Sequence, residues 1–95
     1  MTRYRTEYTK RFVKEFKKID TVHQRIIQKY IEININNAIN PRLTGKILKG
    51  DKAEFIRYRI GDYRLIAAIE DDKLLVIALT VGHRGNPPIF NGGNK

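Results

Sequence analysis

From residue 54 onward the chain alternates between apolar and polar positions. Phe55, Arg57 and Arg59 fall on one parity, while Ile56, Tyr58 and Ile60 fall on the other. Side chains alternate across a strand, so this stretch predicts a half-buried β-strand with one apolar face and one arginine-bearing face. Two further strands are predicted at 63–70 and 73–82, both rich in β-branched and aliphatic residues. Gly61-Asp62 suits a two-residue hairpin turn, and Asp71-Asp72 turns the chain again. Connections this short require antiparallel neighbours, so the three strands form a meander.

Before residue 54 the period is helical. Arg3 to Tyr8 alternates weakly and predicts a short N-terminal strand. Thr9 offers an N-cap, and Phe12, Phe16 and Ile19 recur at helical spacing among Lys10, Arg11, Lys14, Lys17 and Lys18. Asp20-Thr21 breaks this helix, and Thr21 with Gln24 matches a capping box for a second one. Val22, Ile26, Ile27, Tyr30 and Ile31 form its apolar stripe, and Asn40-Pro41 stops it. Residues 42–51, with Gly45 and Gly50, are expected to be a loop. The expected fold is α+β: a short strand, a two-helix hairpin, then the meander, with both helices on one face of the sheet. Residues 1–90 form one domain, and 91–95 have no apolar anchor and are expected to be a disordered tail.

Charge changes the picture. The formal net charge is +9 and the isoelectric point is about 10.0. Residues 1–50 carry 12 Lys/Arg against 4 Asp/Glu, whereas residues 51–95 carry 7 against 6. The first half supplies a long-range positive field for a polyanionic partner. The second half concentrates its positive charge in arginines, which grip phosphate bidentately and stay charged at any working pH. There is no cysteine and the two histidines are far apart in sequence, which argues against a zinc site. Neither a metal nor a cofactor is expected. No apolar run reaches membrane-spanning length and the start is charged, so the expected setting is cytoplasmic.

Exposed arginines on a sheet are often only solubilising, and Glu54, Asp62 and Glu70 are available to pair with them. His83 alone is most simply a surface residue at a strand end, and His23 receives no functional role. Thr44-Gly45-Lys46 lacks the first glycine and the following helix of a phosphate loop. The combination is more specific than its parts. Pro41-Arg42 to Gly45-Lys46, then Tyr58-Arg59-Ile60-Gly61-Asp62-Tyr63-Arg64, then Val81-Gly82-His83-Arg84 with Phe90 behind it, occur in one order. In this order the chain resembles the RelE/ParE superfamily of bacterial toxin–antitoxin toxins, over about residues 3–90.

The resemblance implies a ribosome-dependent endoribonuclease that cuts mRNA in the A site by 2′-hydroxyl attack on the adjacent phosphate. It implies that Arg57, Arg64 and Arg84 stabilise the phosphate; for proton transfer the residues themselves offer His83, by its intrinsic pKa near neutrality, with Glu54 as the other candidate base. Arg59, Lys46 and Lys49 become RNA contacts, and Phe90 stacks on a base where many members have tyrosine. It also implies a cognate antitoxin as partner, beside the ribosome and mRNA. Two alternatives stand against this: a ParE-like inhibitor of DNA gyrase with no nuclease activity, and a non-catalytic nucleic-acid-binding module.

Overall fold

The meander is present at the predicted positions, and it is extended by one strand on each side. The computed structural model describes residues 2–48 and 54–87. Strand β1 (Arg5–Tyr8) leads into helices α1 (Lys10–Lys17) and α2 (Thr21–Asn34). Strands β2 (Gly45–Leu48), β3 (Glu54–Ile60) and β4 (Tyr63–Glu70) follow, then a 3₁₀ turn over Asp71–Lys73 and strand β5 (Leu75–His83). The sheet order is β1-β5-β4-β3-β2, with β1 parallel to β5 and the other pairs antiparallel. Gly61 adopts φ +58° in the β3–β4 turn, a left-handed conformation that glycine takes without steric penalty.

Strand β2 corrects the loop expected at 42–51. Lys46 lies opposite Arg57 and Ile47 opposite Ile56. Four residues opening on a glycine show no alternation to read, and pairing with β3 is what makes them a strand. Gly45 sits at the tightest approach, where a Cβ would lie 2.6 Å from the Ile56 side chain. Lys49, Phe90 and the tail expected at 91–95 lie outside the described residues.

Thr9 caps α1 as expected, its hydroxyl accepting from the Phe12 amide at 3.0 Å. The cap of α2 is Asp20, one residue earlier than Thr21, because its carboxylate accepts from the His23 amide at 3.2 Å. Gln24 does not complete a capping box. Its amide donates to the Phe16 carbonyl at 2.9 Å and ties the two helices together. The apolar stripe of α2 is also narrower than expected. Ile27 and Ile31 are buried and Ile35 just beyond them is too, whereas Val22 and Ile26 are 63% and 46% exposed. The face that meets the sheet follows the four-residue spacing, and a one-residue offset turns a side chain about 100° away.

The core joins Phe12, Ile27, Ile31 and Ile35 to Ile56, Tyr58, Ile60, Leu65, Ala67, Val76, Ala78 and Val81 of the sheet. Each large aliphatic side chain buried there contributes about 1.5–3 kcal/mol. The Tyr58 ring is fully buried and its hydroxyl donates to the Pro41 carbonyl at 2.5 Å. Burial pushes that phenol far above its ordinary pKa.

Two devices hold the ends of the sheet. Strand β1 covers the edge of β5 only from Leu75 to Ala78. Beyond it α1 takes over: the Thr9 hydroxyl donates to the Leu79 carbonyl at 2.9 Å, and Glu15 accepts from Thr80 and Val81. At the other end Arg42 donates to both oxygens of Glu54, at 2.6 and 2.8 Å, and to Asp71 at 2.8 Å. The Tyr4 hydroxyl donates to the other oxygen of Asp71. No helix among the described residues is long and apolar enough to cross a membrane.

Candidate functional site

Residues directly opposite each other on paired strands point to the same face. Arg59 is opposite Arg64, and Arg64 is opposite Gly82. Arg57 is opposite both Lys46 on one side and Ile66 on the other. Because Ile56, Tyr58 and Ile60 fill the core beneath the helices, Lys46, Arg57, Arg59 and Arg64 share the face turned away from them. Among the described residues, none of these four cations has a carboxylate partner within ion-pair distance. Two arginines set directly opposite each other repel unless an anion lies between or above them.

Arg84 joins this end of the sheet through the β3–β4 turn. Its amide donates to the Asp62 carbonyl at 2.7 Å, and its Nε lies 3.6 Å from the Asp62 carboxylate. That ion pair is open to solvent and too long to hold the guanidinium strongly. Arg59, Arg64 and Arg84 therefore converge on one end of the sheet, with Arg57 and Lys46 further along the same face.

His83 stands on the other parity, opposite Tyr63. The two rings meet edge-on at 5.3 Å. The Gly85 amide donates to His83 Nδ1 at 3.0 Å, so the neutral ring carries its proton on Nε2 and presents a donor. Strand parity thus separates His83 from the arginine row, and the two meet only at the rim, where β5 ends. His23 also reaches this rim, although sequence reasoning gave it no role. Its ring packs on Tyr63 at 5.3 Å, and its Nδ1 lies 2.8 Å from the Asp20 carboxylate. The hydrogen bond from His23 holds the Asp20 carboxyl below its usual range. The signal that could have found it is Asp20 three residues earlier, which caps the helix and orients the ring at once.

Glu54 is not brought to the arginines of the rim. It begins β3, opposite Ile69, at the end of the strand away from Arg59. Bonds from Arg42 hold its carboxyl well below the usual range despite partial burial, so it is a committed structural anion.

The arrangement is a cationic sheet face ending at a rim that carries an imidazole donor. It can hold a phosphodiester and stabilise extra negative charge on it. A model of the family described as ParE toxin of type II toxin–antitoxin system, parDE, matches residues 6–88. The mRNA interferase toxin RelE of Escherichia coli (strain K12) is 27% identical over 94 residues, 97% of this chain and 95% of that protein. The archaeal RelE–RelB complex from Pyrococcus horikoshii has a chain 24% identical with a TM-score of 0.74, covering 88% of this chain and 98% of that one. The toxin–antitoxin complex RelBE2 from Mycobacterium tuberculosis has one 24% identical with a TM-score of 0.76, covering 90% and 97%. At that identity the structural likeness speaks for the fold, and it is the same packing of two helices on a mixed sheet. With the family model matching nearly the whole length, this chain belongs to the ParE toxin family of type II toxin–antitoxin systems, within the RelE/ParE superfamily.

Proposed function

We propose that the chain is the toxin of a type II module and acts as a ribosome-dependent endoribonuclease that cuts mRNA in the A site. The observation that carries this reading is Arg59 opposite Arg64, two cations with no carboxylate partner among the described residues, on paired strands at the end of the sheet that Arg84 joins. Like charges so placed oppose folding and are useful where a dense anion docks. The relative named mRNA interferase toxin RelE supports the choice of RNA as that anion.

In this reading the 2′-hydroxyl oxygen attacks the adjacent phosphorus, and the bond to the 5′-oxygen of the next nucleotide breaks. The products are a 2′,3′-cyclic phosphate and a 5′-hydroxyl. Arg57, Arg64 and Arg84 stabilise the charge on the pentavalent phosphorus, an effect typically worth ~10²–10³ in rate for each well-placed donor. His83, whose Nε2–H is free to donate at the rim, hydrogen-bonds the leaving 5′-oxygen and steadies the charge developing on it, while its proton comes from solvent. With Glu54 held by Arg42, the 2′ proton passes to solvent. Arg59 and Lys46 hold flanking phosphates.

The partner in this reading is an antitoxin. An apolar groove of about 380 Å³ between the helices, lined by Tyr8, Phe12, Val13 and Phe16, offers a seat for an amphipathic helix whose acidic flank meets the basic surface of α1. A second reading, inhibition of DNA gyrase, draws on the family description as ParE toxin. Adding the protein to a reconstituted translation reaction and mapping mRNA cuts by primer extension decides between them. Cuts at A-site codons that need ribosomes support the nuclease. Intact mRNA with and without ribosomes sinks it and directs the next assay to gyrase supercoiling.

A further inference from the structure

The helix side of the same rim carries a cleft that the arginine row does not use. Its volume is about 370 Å³, and Arg11, Lys18, Tyr63, His83 and Asn86 line it. Glu15 lies there too, but its carboxylate is already spoken for. One oxygen accepts from Thr80 at 2.6 Å and Val81 at 3.0 Å, and the other from Arg11 at 3.1 Å. Lys18, at the end of α1, has no carboxylate partner among the described residues. The Asn86 amide donates to the His83 carbonyl at 2.9 Å, so a closed turn forms the wall opposite the helix. Tyr63, held by ring contacts with His23 and His83, supplies an aromatic surface.

A cation at one wall, an imidazole N–H at the rim and an aromatic side chain between them match the parts of a nucleotide: phosphate, sugar oxygen and base. We infer that this cleft binds the nucleotide on the leaving side of the cut, its base against Tyr63 and its 3′-phosphate against Lys18. The inference deepens the nuclease reading and rests on it for the direction of the strand. The chain of the substrate then crosses the rim at Gly82, which is opposite Arg64 on one side and lines the cleft on the other. His83 stands at the crossing, next to the oxygen that must be protonated.

The test is an NMR titration of the whole protein with a trinucleotide whose first sugar is 2′-deoxyribose, so that it binds without being cut. The ring signals of Tyr63, His83 and His23 should shift. Lys18→Glu should weaken binding about tenfold or more and lower the slope of log affinity against log salt, by ~0.7 for each single-strand phosphate that is no longer neutralised. Lys29→Glu makes the same change in net charge on α2, away from the cleft, and should weaken binding no more than about threefold. Removing the third nucleotide should abolish the difference between Lys18→Glu and the wild type. Equal effects of the two substitutions, or unmoved ring signals, would overturn the inference. So would ring shifts with an acidic polyglutamate peptide and none with the trinucleotide, which would assign the cleft to a protein partner. Lys18-dependent binding without ribosome-dependent cleavage would sink the nuclease and leave the cleft standing. Cleavage by Lys18→Glu at the wild-type rate would do the reverse.

Discussion

Glu15 and Val81 are bonded across the boundary between helix and sheet: the Val81 amide donates to the Glu15 carboxylate at 3.0 Å. The bond closes the edge of β5 where β1 no longer reaches, just before the strand delivers His83 and Arg84. An edge left open there would fray and would invite pairing with another chain. Burial alone would raise the Glu15 pKa, but bonds from Thr80, Val81 and Arg11 prevail and lower it.

Glu15→Ala should therefore destabilise the fold by about 1–3 kcal/mol, the usual effect of orphaning a partly buried donor. For a domain of this size that is a fall in melting temperature of ~4–8 °C per kcal/mol, readable by circular dichroism. Amide exchange at Val81 should accelerate more than exchange in β3, because the opening is local. Uniform acceleration across the sheet would argue against an edge role.

Arg59 and Arg64 should trade stability against activity. Truncating either to alanine removes a like-charge pair and is expected to raise stability by about 0.2–1 kcal/mol at low salt, and by less when salt screens the pair. Arg64→Ala should lower turnover ~10²–10³-fold in the translation reaction while ribosome binding falls far less. Parallel losses of turnover and affinity would mark Arg64 as a binding residue only.

Tyr58→Phe removes only an oxygen, but a buried one. It leaves the Pro41 carbonyl without its donor. A loss of about 1–3 kcal/mol is expected in urea unfolding, with an unchanged denaturant slope. A shift in midpoint of no measurable size would mean that water replaces the bond.

The Arg42 network should make the fold acid-sensitive. Arg42 holds the Glu54 carboxyl below its ordinary 4.5, and bonds from Tyr4 and Arg42 hold Asp71 below its ordinary 3.8. With folded values depressed, the unfolded chain takes up protons first. The stability these groups contribute is complete above about pH 5 and is lost as the pH falls through the folded values. Urea midpoints measured from about pH 7 down to about pH 3 should fall across that range. In Glu54→Gln the curve should be flatter, since one of the two titrating partners is gone.

The sheet was legible where parity was sharp. Ile56, Tyr58 and Ile60 point inward and Arg57 and Arg59 outward, as alternation alone requires, and Gly61-Asp62 turns the hairpin. Strand β2 was not legible, because Gly45 looks like a loop residue until the Ile56 side chain beneath it is known. Residues whose roles depend on partners distant in sequence were also hidden. Glu15 looks like an exposed helix pair with Arg11, and Glu54 looks like a possible base until Arg42 is seen on it. His23 gained its place only when α2 laid it on Tyr63.

The parallel pairing of the first strand with the last has a consequence for synthesis. Thr9 must find Leu79, 70 residues later, before the edge of β5 is closed. Such long-range closure is slow relative to local helix and hairpin formation. A growing chain that has produced only the helices and the first hairpin has neither the closed edge nor the His83–Arg84 rim. The rim proposed to meet RNA is therefore assembled last, and an incomplete chain emerging from a ribosome carries the charge of the helices without that rim.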